Sequence, residues 1–308
     1  MSHANAKIRA ARVSIGTAAA LTVLKLITGV MTGSMAVLSS AVDSLLDILM
    51  SGVNYLAIRQ ADQPADQSHP FGHGKFETVA TLIQSIVITL SGGWILYESI
   101  RRLLYGSQLN RLGSGILVLL LSTLVSWAIT RYLRRVARET DSSALAADSL
   151  HFAMDVYSNL ALLVGLILVS ALDLPWLDPV LSLLVGLYII SEAVKLLRHG
   201  LRDVLDEELP EVIKEEITTL IETHKGDLIG YHNLRTRRAG SQKIMDFHLT
   251  VCKHLTVEEA HDISDQLEKK IEGEILGSDV TIHIEPCQRA ECPGRQKCHL
   301  EARESDLP

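Results

Sequence analysis

The sequence has few cysteines, and they are confined to one end of the chain. Four occur among 308 residues, and the first 251 residues contain none. If that end lies in the cytoplasm, the redox conditions there keep thiols reduced. We therefore expect Cys252, Cys287, Cys292 and Cys298 to be thiols and not a disulfide framework.

The C-terminal third also lacks an excess of basic residues. Residues 203–308 contain 13 Lys and Arg against 23 Asp and Glu, a net charge of −10, whereas residues 1–202 contain 16 against 13. Proteins that bind nucleic acid present a basic face, so no nucleic-acid partner is expected. An acidic surface suits a soluble domain that attracts cations.

Apolar residues dominate the rest, with 47% hydrophobic residues and a mean hydropathy of +0.22. This favours a six-helix membrane domain over residues 1–204, a soluble domain over 205–287, and a flexible cysteine-containing tail over 288–308. No signal peptide is evident, so we expect the first segment to stay in the protein. The six predicted spans are Val13 to Met31, Met35 to Ile58, Val79 to Ile100, Gly113 to Thr130, Ala146 to Leu172 and Pro179 to Leu197.

The basic residues between the spans predict the orientation. Three lie in the N-terminal arm, two in the second loop and four in the fourth loop, whereas the loops after helices one and five have none. The loop after helix three is the exception, with three. Because basic loops stay on the cytoplasmic side, both termini are predicted to be cytoplasmic.

Two pairs of polar residues interrupt the apolar segments. Asp43 and Asp47 are four residues apart in the second segment, and His151 and Asp155 repeat that spacing in the fifth. Residues four apart share one helix face, and carboxylates within a membrane segment normally face a bundle interior, a partner or an ion. Two helices that each offer two ligands could form a four-coordinate site for a divalent metal.

The second loop brings three further candidate ligands close together in sequence: Asp66, His69 and His73. The spacing suits zinc, provided that something rigid holds the loop. The alternative is a solvated loop with ordinary histidines, and this segment alone does not decide between them.

The soluble part shows helical periodicity over Glu211 to His224, then two β-like runs, a capping box at Thr256 and Glu259, and a closing strand at Val280 to Ile284. The order α-β-β-α-β predicts a small two-layer α+β domain. Several of its elements carry histidines, and one carries a nearby carboxylate, which suggests a regulatory metal cluster. Its members are His232, His248, His261, His283 and Glu285.

The tail spacing Cys287-x4-Cys292-x5-Cys298-His299 fits neither zinc-finger pairs nor a ferredoxin run. Thiolates and a histidine can hold a soft ion, and the alternative is a disordered tail with free thiols.

Several of these stretches together resemble the cation diffusion facilitator family, in particular its bacterial zinc and ferrous-iron efflux transporters. The matching stretches are Val-Asp43-Ser-Leu-Leu-Asp47, the loop from Gln63 to Lys75, the His151 and Asp155 pair, and the histidine-bearing C-terminal domain. One departure is Glu285, where relatives in this branch have an aspartate.

The resemblance implies a homodimer in the cell inner membrane, paired through its membrane helices and a ferredoxin-like αββαβ cytoplasmic domain. It also implies export of a divalent metal in exchange for protons, regulated by metal binding to the cytoplasmic domain. By position, Asp43, Asp47, His151 and Asp155 match the transport site, and Asp66, His69 and His73 match the loop site. Zn²⁺ is the first expected ion, with Fe²⁺ or Cd²⁺ as alternatives.

Two other classes of function are alternatives to transport. An intramembrane metalloenzyme needs an open metal position and a base, often as His-Glu-x-x-His, and that motif is absent from the sequence. A membrane metal sensor would use the intramembrane residues structurally and signal through its soluble domain. We expect the chain not to be an enzyme.

Overall fold

The computed structural model describes residues 3–32, 35–105, 116–172, 174, 176–224 and 228–288. The chain divides into two compact units, Met1–Val204 and Leu205–Pro308. The first unit is helical, and the second combines two helices with a three-stranded sheet.

The helical unit contains six helices among its described residues: α1 (His3–Thr32), α2 (Met35–Ala61), α3 (Lys75–Tyr105), α4 (Ile116–Thr140), α5 (Ser143–Leu172) and α6 (Leu177–Val204). Several run past the predicted apolar spans, since α1 begins ten residues before Val13 and α4 ends ten residues after Thr130. These extensions hold apolar residues at helical spacing that pack into one core. Its members include Ala10, Leu133, Val136, Ala137 and Leu145.

Three helices of the described chain are long and apolar enough to cross a membrane: Ala4–Met31, Lys75–Tyr105 and Leu177–Val204. Large apolar side chains on the helices face outward, including Leu90, Trp94, Leu124 and Leu184. An extensive exposed apolar surface is costly in water and suits contact with lipid. The prediction that all six helices cross the bilayer remains a prediction.

The second unit comprises α7 (Glu211–Glu222), β1 (Leu228–Ala239), β2 (Gln242–Val251), α8 (Val257–Glu274) and β3 (Ser278–Pro286). This confirms the predicted α-β-β-α-β order. The sheet order is β1-β2-β3, with β1 antiparallel and β3 parallel to β2. Gly240, at a φ of 62°, makes the turn between β1 and β2, and the predicted capping box of Thr256 and Glu259 begins α8.

Alternate residues of β2 divide the domain into two faces. Phe247 and Leu249 are buried in a core with Ile217 of α7 and Leu267 of α8, so both helices cover the same face of the sheet. His248, between those two strand residues, points to the opposite face because neighbouring side chains on a strand alternate. That second face, which the helices leave uncovered, holds the histidines described below.

Cys287 does not begin a separate tail. It follows β3, its backbone N–H donates to the carbonyl oxygen of Val251 at 2.9 Å, and its buried side chain packs beside Cys252. The two cysteines therefore belong to the folded domain. Cys292, Cys298 and His299 lie outside the described residues.

Candidate metal transport site

Helices α2 and α5 bring one residue of each predicted intramembrane pair into contact. Asp47 Oδ1 lies 2.8 Å from His151 Nε2, and the side chains of both residues are largely shielded from solvent. Asp155, one turn further along α5, acts electrostatically on His151. The side chain of Asp43 lies outside the part of the structure that is described, so the fourth predicted ligand is placed only on α2.

The second ring nitrogen of His151 is also informative. Its Nδ1 atom is buried and finds no hydrogen-bond partner among the described residues. A histidine that binds a metal uses one nitrogen as a ligand, while the other is usually held by a hydrogen bond. Among the described residues only Asp47, itself a predicted ligand, holds the ring of His151, so the ring is positioned from within the predicted site.

A buried polar cluster that sequence reasoning missed lies one turn before His151. Asp148 is fully buried on α5 and accepts hydrogen bonds from Ser14 of α1 and Ser51 of α2. The signal was present in the sequence, because residues 148, 151 and 155 share one helix face by their spacing of three and four. Asp148 lies at the start of the apolar segment, where a carboxylate is less unusual, and therefore a weaker sign of a site, than in the middle of the segment.

A second missed feature ties together one end of the helical bundle. Lys7 Nζ of α1 lies 2.9 Å from Glu77 Oε1 of α3 and 3.3 Å from Asp62 Oδ1 just after α2. The Ser142 hydroxyl, between α4 and α5, donates to the other oxygen of Glu77 at 2.6 Å. Glu77 is fully buried, so the two ion pairs of Lys7 place one positive and two negative charges where they have little contact with solvent.

The loop between α2 and α3 brings Asp66, His69 and His73 together. One ligand atom from each lies within 4.8 Å of the others. Asp66 Oδ2 is 3.3 Å from His73 Nε2, and Oδ1 is 3.4 Å from His69 Nδ1. His73 is buried and stacks on Phe76 of α3, so the helix holds one ligand of the loop rigidly. Two imidazoles and one carboxylate are a ligand set that Zn²⁺ accepts, so these residues fit a bound zinc ion.

Backbone hydrogen bonds fix Asp66 within this loop. The N–H groups of His69 and Ser68 donate to its Oδ1 at 2.6 and 2.8 Å. These bonds, led by the one from His69, lower the pKa of the Asp66 carboxyl below its ordinary value. The carboxylate therefore stays ionised, and able to bind a cation, to a lower pH than an isolated aspartate.

The uncovered face of the sheet carries most of the predicted histidine cluster. His232, His248 and His283 occupy the same rung on β1, β2 and β3. Glu285 lies 2.8 Å from His248 Nδ1 and 3.3 Å from His232 Nε2, through different carboxylate oxygens. Ligand atoms of these three residues fall within 4.8 Å of one another, a donor set that fits zinc. A bulge follows His232, with Asn233 at a φ of 54°, and bulges commonly redirect nearby side chains.

The other two predicted members of this cluster are placed differently. His283 Nε2 lies 3.8 Å from Glu285 and its ring is 4.8 Å from that of His248, so it borders the cluster. His261 is exposed on α8, whose apolar side packs against the opposite face of the sheet. Within one chain, the structure therefore does not bring His261 to the other histidines.

Comparison with known proteins gives family matches over most of the chain. The family model of the cation efflux transmembrane domain matches residues 11–205. The family model of the cation efflux protein cytoplasmic domain matches residues 209–287. The cation-efflux pump FieF of Salmonella paratyphi A is 36% identical over 293 residues, covering 94% of this chain and 95% of the relative. FieF of Salmonella agona matches to the same extent.

Among solved structures, the zinc form of CzrB matches at 40% identity and a TM-score of 0.26, covering 28% of this chain and 99% of that one. Two family models that together span most of the chain, and relatives of nearly equal length, show the family. These relatives are transporters and not enzymes, as the absence of a His-Glu-x-x-His motif predicted. The chain belongs to the cation diffusion facilitator family and is a membrane protein that exports cations.

Proposed function

We propose that this chain exports divalent metal ions, Zn²⁺ first, across the bacterial inner membrane in exchange for protons. The observation that supports this most is the buried contact of 2.8 Å between Asp47 and His151 on facing helices. A carboxylate and an imidazole at that depth are costly unless they serve an ion or each other. Asp155 on α5 and Asp43 on α2 complete the proposed set of four ligands.

The choice of ion follows from the ligands. One imidazole among three carboxylates favours borderline ions such as Zn²⁺, Fe²⁺ and Cd²⁺, because sites for hard ions usually consist of oxygen alone. Metal ligands must be deprotonated, so metal and protons compete for these groups. Protonation on the outer side would then release the ion and return protons to the cytoplasm.

We further propose that six spans place both termini in the cytoplasm and that the ferredoxin-like domain pairs two copies of the chain. Metal bound by His232, His248 and Glu285 would neutralise part of an acidic surface that opposes close approach of two copies. Because His261 lies on the other side of its own domain, a second copy is the proposed source of that ligand. The loop site with Asp66 is proposed as an additional zinc site.

The test is zinc uptake by vesicles that contain only this protein, followed with a zinc-sensitive dye under an imposed pH gradient. Wild-type uptake that depends on the gradient is expected, whereas a sensor or an enzyme would move no metal. Asp47→Ala should abolish uptake because it removes one of four ligands, while Glu192→Gln, at a carboxylate paired with Lys195 on α6, should not. Uptake by Asp47→Ala at the wild-type rate would contradict the assigned site.

A further inference from the structure

Asp148 presents a chemical problem that the metal site does not solve. Its carboxylate is fully buried, and its hydrogen-bond partners are neutral. The Ser14 hydroxyl donates to Oδ2 at 2.5 Å, the Ser51 hydroxyl lies 3.3 Å from Oδ1, and the Asn54 side chain also hydrogen bonds to it. No lysine or arginine in the described part of the chain contacts it. A buried, ionised carboxylate without a counter-ion is strongly disfavoured.

The geometry indicates what accompanies this carboxylate. Ser14 Oγ and Ser51 Oγ are 3.1 Å apart, and both lie at hydrogen-bonding distance from Asp148. These hydrogen bonds account for the positions of all three side chains without a metal ion. A hydroxyl can accept as well as donate, so the same arrangement accommodates a carboxylic acid. A proton is the occupant that fits.

We propose that Asp148 carries one of the protons exchanged for the metal ion; this rests on the proton exchange proposed above. Asp148 lies three residues before His151, on the adjacent turn of α5. A divalent ion bound by Asp47 and His151 would place two positive charges near Asp148, and low-dielectric surroundings strengthen their repulsion of its proton. Metal binding and proton loss from Asp148 are then linked without any contact between Asp148 and the ion.

The groups around Asp148 support this role. His151 is the titratable group that acts on it electrostatically within the described chain. Helices α1 and α2 present neutral hydroxyl and amide groups, and α3 presents Gln84, whose carbonyl oxygen accepts from Asn54 at 3.2 Å. With no lysine or arginine nearby to hold the carboxylate ionised, its protonation is free to respond to the charge at the metal site.

Buried polar side chains also connect this region to the end of the bundle with the Lys7 ion pair. On α3, Gln84, Thr81 and Glu77 follow one another at intervals of about one turn, and all three are buried. Thr81 donates to the Ser143 hydroxyl at 3.0 Å. In the proposed orientation this end is cytoplasmic, so these side chains mark a route for the proton released when zinc binds from the cytoplasm.

The test measures the number of protons released for each Zn²⁺ ion that the full-length protein binds in detergent. A pH-sensitive dye in weak buffer at about pH 7 reports the released protons. Asp148→Asn keeps the size of the side chain but cannot bind the exchanged proton. It should still bind zinc, and should release about one proton fewer per ion than wild type. The matched control is Asp178→Asn, at another buried carboxylate of the helical unit, which should release the wild-type number.

Each outcome discriminates. An unchanged proton count in Asp148→Asn overturns the assignment of Asp148, and wild type that binds zinc without releasing protons overturns the proposed exchange itself. If Asp148→Asn does not fold, Ser51→Ala serves instead, because loss of a donor to the carboxylate should shift the pH dependence of zinc affinity to higher pH. If Asp148 has only a structural role, Ser51→Ala should lower the melting temperature and leave the pH dependence of zinc affinity unchanged.

Discussion

Replacement of Lys7 by methionine should destabilise the helical unit far more than replacement of an exposed lysine. The ammonium group of Lys7 lies between Asp62 and Glu77, and the Lys7 side chain is only 7% exposed. Methionine retains most of the apolar stem but removes the positive charge. Two carboxylates, one of them fully buried, would then face each other without a cation.

The expected size follows from the burial of this pair. Removal of one partner of a buried ion pair costs about 3–5 kcal/mol. The lower end applies here, because Ser142 still donates to Glu77 in the variant. For a unit of this size, about 3 kcal/mol corresponds to a drop in melting temperature of about 6–12 °C. An exposed pair such as Lys195 and Glu192 contributes about 0–1 kcal/mol.

The measurement is the melting temperature of detergent-purified protein, with Lys195→Met as the matched control. The double variant Lys7→Met with Glu77→Gln should recover part of the loss, because it removes the uncompensated charge along with the lysine. A change in Lys7→Met no larger than that in Lys195→Met, or strictly additive effects in the double variant, would refute the buried ion pair.

Three further predictions concern the metal sites. His151→Asp, which leaves oxygen ligands alone, should raise transport of Mn²⁺ relative to Zn²⁺ in vesicle competition assays, and an unchanged preference would count against His151 as a ligand. Because backbone hydrogen bonds lower the pKa of Asp66, its carboxylate stays ionised, and available as a ligand, to a lower pH than an ordinary aspartate. Asp66→Asn should therefore weaken zinc binding at the loop by the same factor at about pH 7 and pH 5, as judged by equilibrium titration. A factor that shrinks towards pH 5 would refute this. Joint replacement of His232 and His283 by alanine should reduce the thermal stabilisation that zinc gives to the domain from residue 205 to 308. The same change should shift the zinc dependence of transport. Undiminished stabilisation would remove these histidines from the cluster.

The soluble domain was readily predicted because its signals are local. Alternation along β2 and the capping box at Thr256 each follow from a few neighbouring residues, and both appear in the structure. The placement of His261 depended on which face of the sheet α8 covers, and that is decided by the whole core. The recurrence of histidines over several elements therefore grouped it with histidines that lie on the other face within one chain.

The helical unit was harder to predict, because its polar contacts join residues that are far apart in the sequence. Apolar runs located the helices but not their ends, because helices such as α1 and α4 continue beyond the predicted apolar spans. Lys7 and Glu77 are seventy residues apart, so nothing in the local sequence of either indicates the other. Polar residues in the middle of an apolar segment are easily recognised as candidate site residues. Polar residues near its ends resemble ordinary loop residues in the sequence, and only the structure shows which of them pair.

Two of the proposed metal sites differ in exposure, and this difference suits different tasks. Asp47 and His151 are shielded from solvent, so an ion bound there exchanges only when the helices move, as transport requires. His232 and Glu285 are partly exposed on a sheet face that the helices leave open, so ions can reach them without a rearrangement of the fold. In the proposed orientation, binding at that exposed cluster follows the cytoplasmic metal concentration, while binding at the buried site is tied to the transport cycle. Regulated export of metal, as proposed above, would use both kinds of site.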